Sequence, residues 1–201
     1  MIPALVLAAA YLMGAVPTGY ILVRLTTGRD VRSMGSGNIG ATNVLRTSGR
    51  KAGIVTLLLD MVKGWLAVYF AGRVLDGSLF WMTGAALAVM AGHAFPVFLH
   101  FRGGKAVASF VGAFLCLTPA SMLATIVVFV ATVAASRYVS LGSVVAAGLF
   151  PFAVWLIEHP PAYVVWAAVI AGGFIIWRHR ANLQRIRAGS ENLLSFGSRR
   201  P

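Results

Sequence analysis

Charged side chains are scarce in this sequence of 201 residues, and acidic ones are the scarcest. Only 11% of the residues are charged, whereas an average soluble domain has about 25%. So little charge cannot cover the surface of a soluble globule, which argues against a soluble enzyme, a nucleic-acid-binding domain or a disordered chain. Hydrophobic residues make up 59% of the sequence and the mean hydropathy is +0.83, which indicates an integral membrane protein.

Metal-binding and disulfide-forming residues are also few. The single cysteine, Cys116, excludes an intrachain disulfide and a cysteine-based metal site. It lies in an apolar run, where a free cysteine behaves as a small hydrophobic residue. Of the five acidic residues, only Asp30 and Glu191 fall on the face where the polar loops are predicted to meet, which is too few for a multi-carboxylate magnesium site. We therefore expect no bound metal and no cofactor.

Long apolar runs predict how the chain crosses the membrane. A crossing helix needs about 20 apolar residues, and five runs approach that length: Ile2–Val23, Ala52–Gly72, Ser78–Leu99, Tyr138–Ile157 and Ala162–Trp177. A sixth run, residues 106–136, is too long for one straight helix. Thr118 and Pro119, near its middle, predict a turn between two short spans.

The basic residues favour one arrangement of these spans. The 17 lysines and arginines outnumber the acidic residues by 12. With seven spans and the N-terminus outside, 15 of the 17 lie on one side, whereas six spans divide the loop charges into 8 and 8. Because lysine and arginine mark the cytoplasmic side, we predict a single all-α transmembrane domain over residues 1–201. It has seven helices, two of them short, with the N-terminus outside and the C-terminus in the cytoplasm.

The segment Gly35–Arg46 combines glycines with polar side chains. Gly35, Gly37 and Gly40 match the dinucleotide pattern G-x-G-x-x-G, but no strand precedes them, so that interpretation is disfavoured. Glycines do let backbone N–H groups converge on an anion, and a following helix adds its positive end. This chemistry favours an anion site, with a flexible solvated turn as the alternative. The polar side chains of the segment are Ser36, Asn38, Thr42, Asn43 and Arg46.

Two later segments have similar chemistry. Gly103, Gly104 and Lys105 are predicted to open a helix and to form a second phosphate site, with an orientation signal as the alternative for Lys105. If residues 177–192 form a helix, His179 and Asn182 lie one turn apart on one face. That face offers hydrogen bonds and positive charge to a phosphate, or else binds anionic lipid.

Two smaller features complete the polar set. The segment from Arg137 to Ser143 brings hydroxyl groups to the same predicted face. Asp60 and Lys63 lie three residues apart within a predicted span, where they are expected to neutralise each other, with a proton relay as the alternative.

Three segments, in order, carry a family resemblance: GSGNIGATNVLR (Gly35–Arg46), GHAFPVFLHFRGGKAVA (Gly92–Ala108) and HRANLQRIRAGSE (His179–Glu191). With them the chain resembles the bacterial acyl-phosphate:glycerol-3-phosphate acyltransferases. The resemblance implies a membrane enzyme of phospholipid synthesis that transfers a fatty acyl group from acyl phosphate to the 1-hydroxyl of sn-glycerol 3-phosphate. The products are lysophosphatidic acid and inorganic phosphate. The tail, residues 195–201, has no counterpart in the family and is expected to be disordered or vector-derived.

The resemblance also implies a location and partners. The enzyme is expected in the bacterial cytoplasmic (inner) membrane, surrounded by membrane lipid, with its active site at the cytoplasmic face. It is expected to need no cofactor, no nucleic acid and no obligate protein partner. Two other classes stay open as alternatives from the residues alone: a transporter of an anionic metabolite and a non-catalytic lipid-binding scaffold.

Roles for individual residues follow from the same resemblance. The expected catalytic residues are Lys105 and His179. The expected glycerol 3-phosphate ligands are Ser36, Arg46, Lys105, Ser143, His179 and Asn182. The expected acyl phosphate ligands are Gly37, Asn38, Gly40, Thr42, Asn43, Gly103 and Gly104. The proton acceptor is either His179 or an oxygen of the leaving phosphate, and we favour the phosphate because the expelled dianion can accept the proton directly.

Overall fold

The computed structural model describes residues 1–194, which form helices, turns and loops with no strand in that range. The expectation for the tail at 195–201 lies outside the described residues. The α-helices are α1 (Ile2–Ala15), α2 (Thr18–Thr27), α3 (Ala41–Ser48), α4 (Arg50–Val74), α5 (Leu79–Ala94), α6 (Val107–Leu117), α7 (Pro119–Ser136), α8 (Val139–Ala153), α9 (Ala162–Arg178) and α10 (Arg180–Arg187).

Five helical segments of the described chain are long and apolar enough to cross a membrane: Ile2–Thr27, Arg50–Val74, Leu79–Leu99, Pro119–Ser136 and Val139–Glu158. A sixth is the pair α9 and α10, which are bent by 51° relative to each other. These spans confirm an all-α, multi-pass membrane protein. At about 1.5 Å per residue, the 11 residues of α6 cover only about half of a hydrocarbon core of about 30 Å. The seven crossings and their direction therefore stay a prediction.

The long apolar run breaks where the sequence predicts it. Helix α6 ends at Leu117 and α7 begins at Pro119, with Thr118 between them in a non-helical conformation. Proline suits the first position of a helix because its missing N–H would have no partner there. The Glu158 carboxylate accepts hydrogen bonds from the backbone N–H groups of Ala120 and Ser121, at 3.0 and 3.3 Å, and so caps α7. Of the two halves only α6 is short, since α7 has 18 residues.

Small residues allow the helices to approach closely. A Cβ at Gly112 on α6 would overlap the Met61 carbonyl oxygen on α4, and a Cβ at Gly64 would overlap the Ser109 carbonyl oxygen. Close backbone approach at glycine is how membrane helices gain packing energy where lipid supplies no hydrophobic driving force. This crossing fixes α6, and with it the loop that leads into α6.

Candidate functional site

A cavity of about 440 Å³ opens between the helices and collects most of the residues that the sequence singles out. The expected site residues that line it are Ser36, Asn38, Gly40, Thr42, Asn43, Arg46, Lys105, Ser143, His179 and Asn182. Three expected residues are absent from its lining: Gly37, Gly103 and Gly104. The cavity continues between α4, α6 and α7 as an apolar groove.

Asn43 holds the glycine-rich loop in shape. Its Nδ2 donates to the carbonyl oxygens of Val31, Met34 and Asn38 at 3.3, 3.1 and 2.8 Å. Its Oδ1 accepts from the backbone N–H of Ser36 at 2.8 Å. The side chain is 2% exposed and its bonding capacity is used within the loop. In this structure Asn43 therefore positions the loop.

The start of α3 supplies unpaired donors at the cavity. Helix α3 begins at Ala41 after Gly40, with no side-chain cap. Within the described chain, the backbone N–H groups of Ala41 and Thr42 have no protein acceptor, and both residues line the cavity. Free N–H groups and the positive helix end favour an anion at this point. The helix predicted after the glycine-rich loop is thus present. Gly37 supports the loop at φ 70°, a conformation that favours glycine.

Gly103 and Gly104 do not open a helix, contrary to the prediction, because their backbone pairs with the end of α5. The N–H of Gly103 donates to Ala94 O at 3.2 Å and that of Gly104 donates to His93 O at 3.1 Å. An Arg178 guanidinium nitrogen donates to the carbonyl oxygens of both glycines, at 3.1 and 2.7 Å. The two glycines therefore offer no free N–H to an anion. They anchor the loop that carries Lys105, and α6 begins only at Val107.

The Lys105 ammonium enters the cavity beside a neutral partner. Lys105 Nζ donates to Asn182 Oδ1. Burial lowers the pKa of Lys105 to about 8, against the opposing effect of Glu191. Three nearby guanidinium groups, those of Arg185, Arg46 and Arg178, contribute to the same lowering of this pKa.

His179 is 3% exposed, between α9 and α10. Its Nδ1 lies 2.8 Å from Ile175 O. Because a carbonyl oxygen only accepts, Nδ1 carries the proton of the neutral ring and Nε2 keeps its lone pair. The ring is therefore in the tautomer that a proton acceptor in the cavity requires.

Glu191 is the residue whose importance sequence reasoning missed. Its Oε1 accepts from Ser140 Oγ at 2.9 Å and from Asn182 Nδ2 at 2.7 Å, and its Oε2 accepts from Arg185 Nε at 2.7 Å. Burial alone would raise the pKa of Glu191, but these three hydrogen bonds lower it below its usual value. A lone carboxylate inside a strongly basic segment is the signal that could have identified this anchor.

Asp60 and Lys63 form the predicted ion pair, with Nζ and Oδ1 2.8 Å apart and both side chains buried. The structure adds two partners that the sequence did not indicate. Thr18 Oγ1 donates to Asp60 Oδ1 at 2.5 Å, and His93 Nδ1 lies 3.6 Å from the same oxygen. Asp60 and His93 also line the cavity. Among residues 1–194, no group of three histidine, cysteine or acidic side chains is placed to hold a metal ion.

Comparison with known proteins gives one consistent family. A family model described as glycerol-3-phosphate acyltransferase matches residues 4–189. Curated proteins of that description from Geotalea daltonii and Geobacter sulfurreducens are 45% and 46% identical to this chain. Each alignment covers 92% of this chain, and 93% and 94% of the respective relative.

Solved structures agree with the sequence matches. The crystal structure of PlsY (YgiH), an integral membrane glycerol 3-phosphate acyltransferase, in its glycerol 3-phosphate form superposes with a TM-score of 0.91 at 34% identity. That superposition covers 97% of this chain and 96% of the PlsY chain. The lysophosphatidic acid form of PlsY gives a TM-score of 0.88 at 32% identity, over 98% and 97% of the two chains. The chain therefore belongs to the glycerol-3-phosphate acyltransferase family and is an integral membrane acyltransferase.

Proposed function

We propose that this acyltransferase moves a fatty acyl group from acyl phosphate to the 1-hydroxyl of sn-glycerol 3-phosphate, which yields lysophosphatidic acid and inorganic phosphate. The observation that carries the proposal is the two-part cavity. One end joins the Lys105 ammonium, the Arg46 guanidinium and the free N–H groups of α3, and the other end is an apolar groove. Two phosphates and one acyl chain need this combination. The glycerol 3-phosphate and lysophosphatidic acid forms of PlsY support the acceptor and the product.

Glycerol 3-phosphate binds at the basic end of the cavity. Within the described chain, the Arg46 guanidinium makes one long hydrogen bond, to Asn192 O at 3.4 Å, so most of its fork is available to a phosphate. Lys105 supplies a second positive charge beside it. The remaining polar ligands that we propose for this substrate are Ser36, Ser143, His179 and Asn182.

Acyl phosphate binds with its phosphoryl group at the start of α3. The free N–H groups of Ala41 and Thr42, with the Thr42 hydroxyl, form the site, and Gly40 and Asn38 complete its wall. Gly37 and Asn43 act by holding the loop, and Gly103 and Gly104 act by placing Lys105.

The acyl chain lies in the apolar groove between α4, α6 and α7. Leu57, Phe110 and Phe129 are part of its wall. Ile54 and Val130 also line it and are 50% and 56% exposed at the apolar surface of the spans. The groove therefore communicates with the lipid, so that a membrane-dissolved chain can enter sideways.

The reaction needs no covalent enzyme intermediate, since acyl phosphate is already an activated mixed anhydride. The 1-hydroxyl oxygen forms a bond to the acyl carbon, and the bond from that carbon to the phosphate oxygen breaks. The hydroxyl proton passes to an oxygen of the leaving phosphate, with His179 Nε2 as the alternative acceptor. Lys105 contacts both phosphates and stabilises the negative charge that develops on the leaving group.

The topology that we propose places this site at the cytoplasmic face of the bacterial inner membrane. It has seven crossings, of which α6 is the shortest, with the N-terminus outside. The basic residues that flank the cavity support this orientation because lysine and arginine mark the cytoplasmic side.

Purified protein in detergent, incubated with palmitoyl phosphate and glycerol 3-phosphate, tests the proposal. We expect release of inorganic phosphate together with lysophosphatidic acid, and no release when glycerol replaces glycerol 3-phosphate. EDTA should leave the rate unchanged. Acylation from palmitoyl coenzyme A but not from palmitoyl phosphate would contradict the donor that we propose.

A further inference from the structure

His93 lies at the end of α5, between α4 and the loop that carries Lys105. Its Nδ1 is 3.6 Å from Asp60 Oδ1 on α4 and has no hydrogen-bond partner among the described residues. Its Nε2 edge lies against Gly104, so closely that a Cβ at Gly104 would overlap the ring. The side chain is 5% exposed. The two ring nitrogens thus face α4 and the loop that carries Lys105.

Asp60 faces the Nδ1 edge of His93 and is held in place by Thr18 and Lys63. Its Oδ1 accepts from Thr18 Oγ1 at 2.5 Å and pairs with Lys63 Nζ at 2.8 Å, and Lys63 donates also to Val16 O at 2.8 Å. Apolar residues of similar volume often stabilise a protein as well as a buried ion pair does. Stability alone therefore gives little reason to keep a fixed carboxylate beside the substrate cavity.

Gly104 is restrained on every side that the structure shows. Its N–H donates to His93 O at 3.1 Å, its carbonyl accepts from Arg178 at 2.7 Å, and the His93 ring covers its Cα. The following residue is Lys105, whose ammonium must reach both phosphates. A shift of the Gly104 backbone would carry over directly to the Lys105 side chain.

We propose that His93, held by Asp60, is a positioning residue that sets where the Lys105 ammonium lies in the cavity. The inference rests on the role proposed above for Lys105. His93 acts through packing on Gly104 and does not itself touch the reacting atoms. Asp60 restrains the Nδ1 side of the ring. Asp60 and His93 together therefore couple the position of α4 to that of the loop.

Two amides at position 93 separate the roles of the ring nitrogens. The amide nitrogen of asparagine takes roughly the place of Nδ1, and that of glutamine takes roughly the place of Nε2. His93→Asn keeps a donor for Asp60 but leaves the Gly104 side empty, whereas His93→Gln keeps the contact with Gly104. We expect His93→Asn to lower kcat by about 10- to 100-fold, in line with the cost of a displacement of about 1 Å. His93→Gln should lower it less, because glutamine keeps the contact with Gly104 and loses only the donor that faces Asp60.

His100→Asn is the matched control. His100 is exposed and lies in the same loop with φ 52°, a left-handed conformation that asparagine tolerates. This variant should keep wild-type kcat and KM. Thermal midpoints in detergent, measured for all variants, separate a loss of positioning from a loss of folding.

Gly104→Ala gives a second test that leaves His93 in place. Its Cβ would press on the ring, so we expect kcat to fall, and the double variant with His93→Asn to recover activity because the shorter side chain makes room. Non-additivity of this kind is the signature of two residues in contact. Gly148→Ala on α8, where a Cβ meets only ordinary contacts, should be neutral.

If Lys105→Ala is impaired but His93→Asn and Gly104→Ala keep wild-type kcat, the positioning role of His93 is overturned. The role proposed for Lys105 then stands. Full activity of Lys105→Ala would overturn the role proposed for Lys105, and the inference with it. Equal loss in His93→Asn and His93→Gln at unchanged thermal midpoint would also contradict it, because the contact with Gly104 would then not matter.

Discussion

Among the individual residues of the site, the feature that decides the chemistry is a lysine that donates its hydrogen bond to an amide and not to a carboxylate. Lys105 Nζ donates to Asn182 Oδ1, and the amide nitrogen of Asn182 in turn donates to Glu191. The carboxylate charge is therefore balanced mainly by Arg185, at 2.7 Å, while the charge of Lys105 faces the cavity. A positive charge left without a direct counterion is what an incoming phosphate dianion can neutralise.

The depressed pKa of Lys105 predicts a loss of activity at alkaline pH. Because the pKa of Lys105 in the folded protein is about 8, its side chain is fully protonated well below pH 8 and loses its charge as the pH rises through about 8. The kcat/KM for glycerol 3-phosphate should then fall by about tenfold per pH unit. Lys105→Arg, which stays charged in this range, should be slower at pH 7 but should lack this alkaline decline. A wild-type profile that is flat from pH 7 to 10 would contradict the assignment.

Residue types were predictable from the sequence, and their bonding was not. Glycines, hydroxyls and basic residues within three segments were enough to indicate phosphate chemistry. From the sequence we expected Asn43, Gly103 and Gly104 to bind substrate. In the structure their N–H groups donate to carbonyl oxygens of the protein. The bonds of Asn43 join residues 5 to 12 positions apart, and those of the two glycines join a loop to the end of α5, so no local pattern encodes them.

At the scale of elements, a short C-terminal segment completes the site. Glu191 ties the chain after α10 to Ser140 on α8, and Leu194 N donates to Arg137 O at 2.8 Å. Asn182 is held in the same network, so this anchor also orients the partner of Lys105.

Removal of the Glu191 carboxylate should therefore cost both stability and activity. Glu191→Ala leaves the donors of Ser140 and Asn182 without an acceptor, which costs about 1–3 kcal/mol for each buried group. We expect a lower thermal midpoint in detergent and a reduced kcat. The control is Asp30→Asn, which keeps an oxygen for the Arg32 backbone N–H and removes only the charge of an exposed ion pair with Arg32, whose side chains are 33% and 37% accessible. Surface pairs of this kind contribute about 0–1 kcal/mol, so equal effects of the two variants would contradict the anchor.

Helix packing at glycine gives an independent prediction. Gly112→Ala would drive a Cβ into the Met61 carbonyl and should destabilise the protein by about 1–3 kcal/mol. Gly173→Ala on α9 meets nothing within 4 Å and should be neutral or stabilising by up to about 1 kcal/mol. Thermal midpoints of the two variants check this. A Gly112→Ala protein as stable as Gly173→Ala would show that α4 and α6 do not approach as described.

Local patterns located most of the helices but not every boundary. Hydropathy and Pro119 gave the break after α6, because proline acts on its own neighbours. The start of α6 was expected near Gly103 and lies at Val107, because the chain first pairs with the end of α5. That pairing is a tertiary contact, and it overrides what the glycines alone indicate.

For the molecule as a whole, the proposed site requires that all of its polar loops lie on one side of the membrane. After Cys116→Ser, single cysteines at positions 37, 102 and 184 should react with an impermeant maleimide only from the cytoplasmic side, and a cysteine at position 77 only from outside. The basis is the predicted concentration of basic residues on one face. Labelling of positions 37 and 184 from opposite sides would contradict the topology.

The kinetics of Lys105→Ala, compared with those of Arg46→Ala, show whether Lys105 acts in the reaction or only in substrate binding. Charge stabilisation that is specific to the transition state acts on kcat, whereas a substrate ligand acts on KM. We predict that Lys105→Ala lowers kcat by about 10²–10³-fold while Arg46→Ala mainly raises KM for glycerol 3-phosphate, both at wild-type thermal midpoints. A Lys105→Ala enzyme within about threefold of wild type would instead make Lys105 an orientation signal, and the catalytic role of this cavity residue would be contradicted.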